Sequence, residues 1–121
     1  MLIPLLAIGL SLATQNVTEA NVNKGSSLFA SCQAHIRVMD RTYKNLGDDY
    51  AEGNYCIGYI EGFTTGDIFG GGSICFTEAS PGTLIRVYVA YMERHPKLLD
   101  EDKYVGLSDA LVEAYPCKTR K

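Results

Sequence analysis

The chain has 121 residues, 46% of them hydrophobic and 21% charged, which fits one globular domain and excludes both a two-domain protein and a disordered chain. Its formal net charge of −3 gives none of the basic footprint that nucleic-acid binding requires. The short basic end, Lys118, Arg120 and Lys121, reads as a solvated tail.

Residues 1–13, MLIPLLAIGLSLA, are apolar and end in small residues, with Ser11 and Ala13 at the minus-three and minus-one positions of a cleavage site. This pattern predicts a secretory signal peptide, although no Lys or Arg precedes the apolar run. The run is shorter than the roughly 20 apolar residues that span a bilayer, so no membrane partner is expected after cleavage. A second cut is available after Ala20, which assigns 1–20 to the signal peptide and cleavage region and 21–121 to the mature domain. The polar stretch TQNVTEANVNKG, residues 14–25, reads as a linker.

The first helix is predicted from about Ser26 to Lys44, capped by Ser26 or Ser27. Leu28, Phe29, Cys32, Ile36, Met39 and Tyr43 recur at helical spacing, opposite Gln33, Arg37, Asp40, Arg41 and Lys44. NLGDDYAEGN then reads as a polar turn, followed by a second helix over about Asn54 to Thr65 with Cys56, Tyr59, Ile60 and Phe63 inward. Gly58, Gly62 and Gly66 lie four residues apart on it. Each costs a helix about 1 kcal/mol relative to Ala, so the row points either to a closely packed neighbouring backbone or to a frayed helix. Residues 67–75, DIFGGGSIC, read as a flexible connector. No Lys-Ser/Thr follows the three glycines and no strand precedes them, so a phosphate cradle is not expected.

Ser80-Pro81 starts the third helix strongly, because Pro at the first helical position sacrifices no needed hydrogen bond. Leu84, Ile85, Tyr88, Val89 and Met92 form its core stripe, and His95-Pro96 ends it. Asp100, Glu101 and Asp102 place negative charge at the start of a fourth helix, with Tyr104, Leu107, Leu111, Ala114 and Tyr115 inward and Lys103, Asp109 and Glu113 outward. Helices three and four should form an antiparallel hairpin. The fold class is therefore all-α: a small four-helix bundle behind a cleaved signal peptide.

Four cysteines, Cys32, Cys56, Cys75 and Cys117, are spaced 24, 19 and 42 residues apart, which matches no zinc pattern. An even count in a small exported chain reads as two disulfides, each worth roughly 2–4 kcal/mol. Three pairings are open. Cys56–Cys75 with Cys32–Cys117 is favoured, and Cys75–Cys117, joining the two ends of a helical hairpin, is the alternative.

Nothing in the chain spells a catalytic or metal-binding constellation. His35 lies beside the core stripe and His95 at a helix end, where a structural role is expected. Asp48, Asp49 and Glu52, like Asp100 to Asp102, lack the spacing of a calcium loop. The expected protein is not an enzyme and takes no cofactor or metal.

SLFASC on the first helix, the segment Cys56-Ile57-Gly58-Tyr59-Ile60-Glu61-Gly62, Cys75-Phe76-Thr77, LIRVYVAYMERHP and the closing ALVEAYPC occur in that order over about residues 25–117. In this the chain resembles the Tai-type (type VI amidase immunity) family of type VI secretion immunity proteins. One departure is that members carry a Pro shortly after the third cysteine, whereas here five residues separate Cys75 from Pro81. The resemblance implies a periplasmic helical protein, often a homodimer, that binds a cognate peptidoglycan hydrolase effector and plugs its active-site cleft. Recognition loops vary in the family, so contact residues do not transfer. The exposed loop Asp67, Ile68, Phe69, Gly70, Gly71, Gly72 and Ser73 is the candidate partner-binding segment, and the turn Gly47–Gly53 is a second candidate. A competing expectation is an exported acid-stress chaperone of the HdeA type, also small, helical and disulfide-bonded. Two bridges resist the acid opening that such a chaperone needs.

Overall fold

The computed structural model describes residues 22–72, 74–75 and 79–117. The predicted signal peptide and cleavage region, Ser73, the Phe76-Thr77 pair and the basic tail lie outside the described residues. Among the described residues the chain forms four α-helices: α1 (Gly25–Asp40), α2 (Leu46–Phe69), α3 (Pro81–Arg94) and α4 (Lys103–Ala114). A 3-10 turn, Pro96–Asp100, joins α3 to α4. The only strand-like features among these residues are two isolated bridges, Lys24 with Asp102 and Ile74 with Pro116. The all-α four-helix reading and its two disulfides are thus what the chain adopts.

The third helix follows its sequence signals most closely. Ser80 caps α3 by accepting from the Thr83 N–H, Pro81 opens it, and Leu84, Ile85, Tyr88, Val89 and Met92 are all buried. They meet Leu28 and Cys32 of α1, Cys56 and Ile60 of α2, and Leu107, Ala110 and Leu111 of α4 in one core. Tyr88 is its largest fully buried side chain. Its hydroxyl points to the Gly25 carbonyl at 3.5 Å, and burial raises its pKa far above the ordinary phenol value.

Several predicted boundaries move, each for a tertiary reason. The first helix stops at Asp40 rather than Lys44, because Arg41 turns into the left-handed region (φ 59°) while the Arg41 and Thr42 N–H groups satisfy the Val38 and Arg37 carbonyls. Tyr43 falls beyond the helix and is exposed, and Met39 is only partly covered. Neither Ser26 nor Ser27 caps α1; Lys24 occupies that position without a side-chain cap. The Gly25 N–H instead donates to the Glu101 carbonyl at 2.8 Å, across the fold.

The polar turn NLGDDYAEGN is mostly helix. Asn45 caps α2 by accepting from the Asp48 N–H, and Asp48 and Asp49 in the first turn suit the positive end of the helix dipole. Gly53, which looked like turn chemistry, lies where α2 crosses α1. A Cβ there would sit 2.9 Å from the His35 Cα, so only glycine lets the two backbones meet. Gly106 instead leaves room for a side chain, since a Cβ there would meet the Met92 sulfur at 2.5 Å. The row Gly58, Gly62 and Gly66 does neither thing expected of it: it is helical and exposed, and a Cβ at any of the three would meet nothing within 4 Å.

The disulfides pair as Cys32–Cys56 and Cys75–Cys117, which overturns the favoured Cys56–Cys75 with Cys32–Cys117 and retains the alternative Cys75–Cys117. The reason is the early start of α2. With α1 and α2 packed antiparallel across Gly53, the Cys32 and Cys56 Cα atoms are 5.0 Å apart and both side chains lie fully in the core. Cys75, in the connector after α2, and Cys117, just beyond α4, form the second bridge, 4.9 Å apart, with the Cys75 N–H on the Tyr115 carbonyl.

Candidate partner-binding surface

The segment Asp67–Ser73 divides between two kinds of structure. Asp67, Ile68 and Phe69 are the last residues of α2 rather than loop. Gly70 caps the helix, its N–H on the Gly66 carbonyl, and Gly71 takes φ 72°, a left-handed value that suits glycine. The Gly72 N–H returns to the Asp67 carbonyl at 2.9 Å, and a Cβ on Gly72 would collide with the Asp67 carboxylate folded under the turn. Asp67 Oδ2 is buried without a hydrogen-bond partner among the described residues. Ile68 is 63% exposed, and Ile74 and Cys75 fix the base of the segment to the end of α4.

The other candidate, Gly47–Gly53, is helix at the far end of α2, and within it only Asp49 and Gly53 are buried. Asp49, 6% exposed in its side chain, receives two hydrogen bonds from Arg37 (3.1 and 2.8 Å) and a third from the Lys44 N–H (2.9 Å). The Arg37 guanidinium, foremost through those bonds, holds the Asp49 carboxyl below the usual carboxylate range. The same contact raises Arg37. Leu46 and Tyr50 lie exposed on this stretch.

The structure brings together a third group that the sequence pattern did not single out. Tyr55 and Tyr59 stack one helical turn apart with ring centroids 6.2 Å apart. Lys103, the first residue of α4 and expected to point away, lays its ammonium 5.2 and 4.7 Å from those two rings and donates to the Tyr55 hydroxyl at 2.5 Å. Burial raises the Tyr59 phenol pKa. Tyr104, expected in the core, is 54% exposed beside them. The spacing of the tyrosines was visible in the chain; the arrival of Lys103 was not, because it depends on how α4 docks. Two shallow hollows flank this group. One, about 280 Å³, is lined by Val22, Ser27, Ala30, Ser31, Glu52 and Tyr55. The other, about 260 Å³, is lined by Asn23, Tyr59, Asp102, Lys103 and Tyr104.

The histidines serve packing. His95 ends α3 with its ring stacked on Tyr91 at 4.0 Å and its Nδ1 2.9 Å from the Tyr91 carbonyl. His35 sits against Gly53, and burial lowers its pKa. Among the described residues no group of three or more His, Cys, Asp or Glu side chains is placed to hold a metal ion, and no helix is long and apolar enough to cross a membrane. The arrangement offers exposed aromatic and apolar side chains on a cross-linked frame, which is the chemistry of protein–protein contact.

No curated protein and no solved structure matches the chain. Residues 24–117, from the start of α1 to the last cysteine, match the family of Rap1a immunity proteins, a type VI secretion immunity family. Both disulfides and all four helices fall within that span, and the chain belongs to the Rap1a immunity protein family.

Proposed function

We propose that the chain is a periplasmic, non-enzymatic immunity protein that binds and blocks a peptidoglycan-degrading effector of type VI secretion, in the manner of the Tai-type proteins it resembles. The observation that carries this reading is the family match over residues 24–117, which enters as a likeness of the whole helical frame rather than of one motif. Two further features support it. Disulfides persist in oxidising compartments, and the leader-like residues 1–20 would deliver the chain to one. The exposed aromatic side chains on α2 and α4 suit a protein partner. Within the Asp67–Ser73 segment, exposed Ile68 in the last turn of α2 would touch that partner. The mature protein is taken to act as a homodimer.

The test pairs the purified protein with the peptidoglycan hydrolase encoded beside its gene. Stoichiometric inhibition of muropeptide release is expected, together with protection of cells that receive the hydrolase in the periplasm. Protection should vanish when residues 1–20 are deleted. Suppression of client light scattering at strongly acid pH, with no effect on the hydrolase, would favour the chaperone instead.

A further inference from the structure

The hollow between α1 and α2 has a one-sided chemistry. Val22, Ala30 and Tyr55 supply apolar wall, and Glu52 is the only charged residue in its lining. The Ser31 hydroxyl, a donor that an anion would want, is already spent on the Glu52 backbone carbonyl. Among the described residues the Glu52 carboxylate has no salt-bridge partner within 4 Å, although it lies near enough to Arg37 to help raise that group's pKa. Tyr55 is held in place from its other side by Lys103. At about 280 Å³ the hollow is at or below the small end of ligand pockets, which start at roughly 300 Å³, so it suits one long side chain better than a metabolite.

We propose that this hollow receives an arginine side chain of the effector, its stem against Val22 and Ala30, its guanidinium paired with the Glu52 carboxylate and laid against Tyr55. Arginine fits for three reasons. Its planar fork pairs bidentately with a carboxylate, its weak hydration lowers the cost of partial burial, and it stacks on aromatic rings. The wall is formed before the partner arrives, so little ordering opposes binding. The inference rests on the immunity reading and adds to it the recognition chemistry and the face of the bundle that engages.

The test is titration calorimetry with the peptidoglycan hydrolase encoded beside the gene, using wild type, Glu52→Gln and Ala30→Arg. Both altered positions are exposed, so melting temperatures should stay near wild type. Glu52→Gln should weaken binding about tenfold, with a shallower salt dependence. Ala30→Arg, which fills the hollow with the chain's own guanidinium, should weaken it about a hundredfold. An arginine scan of the hydrolase should find one Arg→Ala change whose effect is lost in the Glu52→Gln background. Binding of both variants within about twofold of wild type overturns the arginine site while leaving the immunity reading intact. No binding of the wild-type protein overturns both.

Discussion

The two disulfides staple different parts of the bundle, one at mid-helix in the core and one at a connector, and they sit in different surroundings. Cys32–Cys56 is fully buried where α1 and α2 cross over Gly53, with the Arg37–Asp49 pair beyond it. Cys75–Cys117 joins an exposed residue to a half-buried one, tying the connector after α2 to the residues just beyond α4, where the Ile74–Pro116 bridge and the Cys75 N–H on the Tyr115 carbonyl also lie. The loop-entropy contribution is similar, about 3.5 kcal/mol for the shorter closure and about 4 kcal/mol for the longer. What differs is packing. The inner bond is also core volume, whereas the outer one mainly restrains a connector.

That contrast can be broken chemically. Replacing Cys32 and Cys56 together by Ala should cost about 5 kcal/mol, the loop term plus lost core contact, and urea denaturation should show little folded protein at 37 °C. The Cys75→Ala, Cys117→Ala pair should cost at most about 4 kcal/mol and leave a cooperative transition. Under native conditions with dithiothreitol, mass spectrometry after alkylation should find two labelled thiols, on Cys75 and Cys117, before four. Simultaneous appearance of four would show that the inner bond is no better protected than the outer.

Glycines on α2 sharpen the same contrast at smaller scale. Gly53→Ala should destabilise by about 2 kcal/mol, since its methyl group meets the His35 backbone. Gly58→Ala should stabilise by about 1 kcal/mol, since helix propensity improves and the space is open. Thermal melts of the two variants should therefore move in opposite directions.

The smallest effect concerns acid. Asp49 has a folded-state pKa below its unfolded value, so the unfolded chain binds the proton more readily. Its contribution is complete above the unfolded pKa, near 3.8, and is lost as pH falls through the lower folded value. Asp49→Asn should flatten that part of the stability–pH curve, measured by denaturant midpoints between neutral and strongly acid pH.

Local signals sufficed where local physics dominates. Ser80, Pro81 and the five-residue stripe placed α3 and its buried face, and the even cysteine count in an exported-looking chain anticipated two bridges. They failed at α2, where Gly47 and Gly53 read as turn residues by intrinsic preference. The helix persists there because the Asn45 cap, the Arg37–Asp49 pair and the Cys32–Cys56 bond outweigh about 1 kcal/mol per glycine. The candidate surface was legible only in part. Ile68 was within the expected segment, while the Tyr55–Tyr59–Lys103 group joins residues about 45 positions apart in the chain.

The sequence by itself determined the helical class, the core stripe of α3 and the number of cross-links, because each follows from periodicity, caps or counting. Only the tertiary structure decided which cysteines pair, which glycines face a backbone and which face solvent, and that Lys103 reaches α2. Those depend on distances between segments remote in sequence, and no local preference encodes such distances.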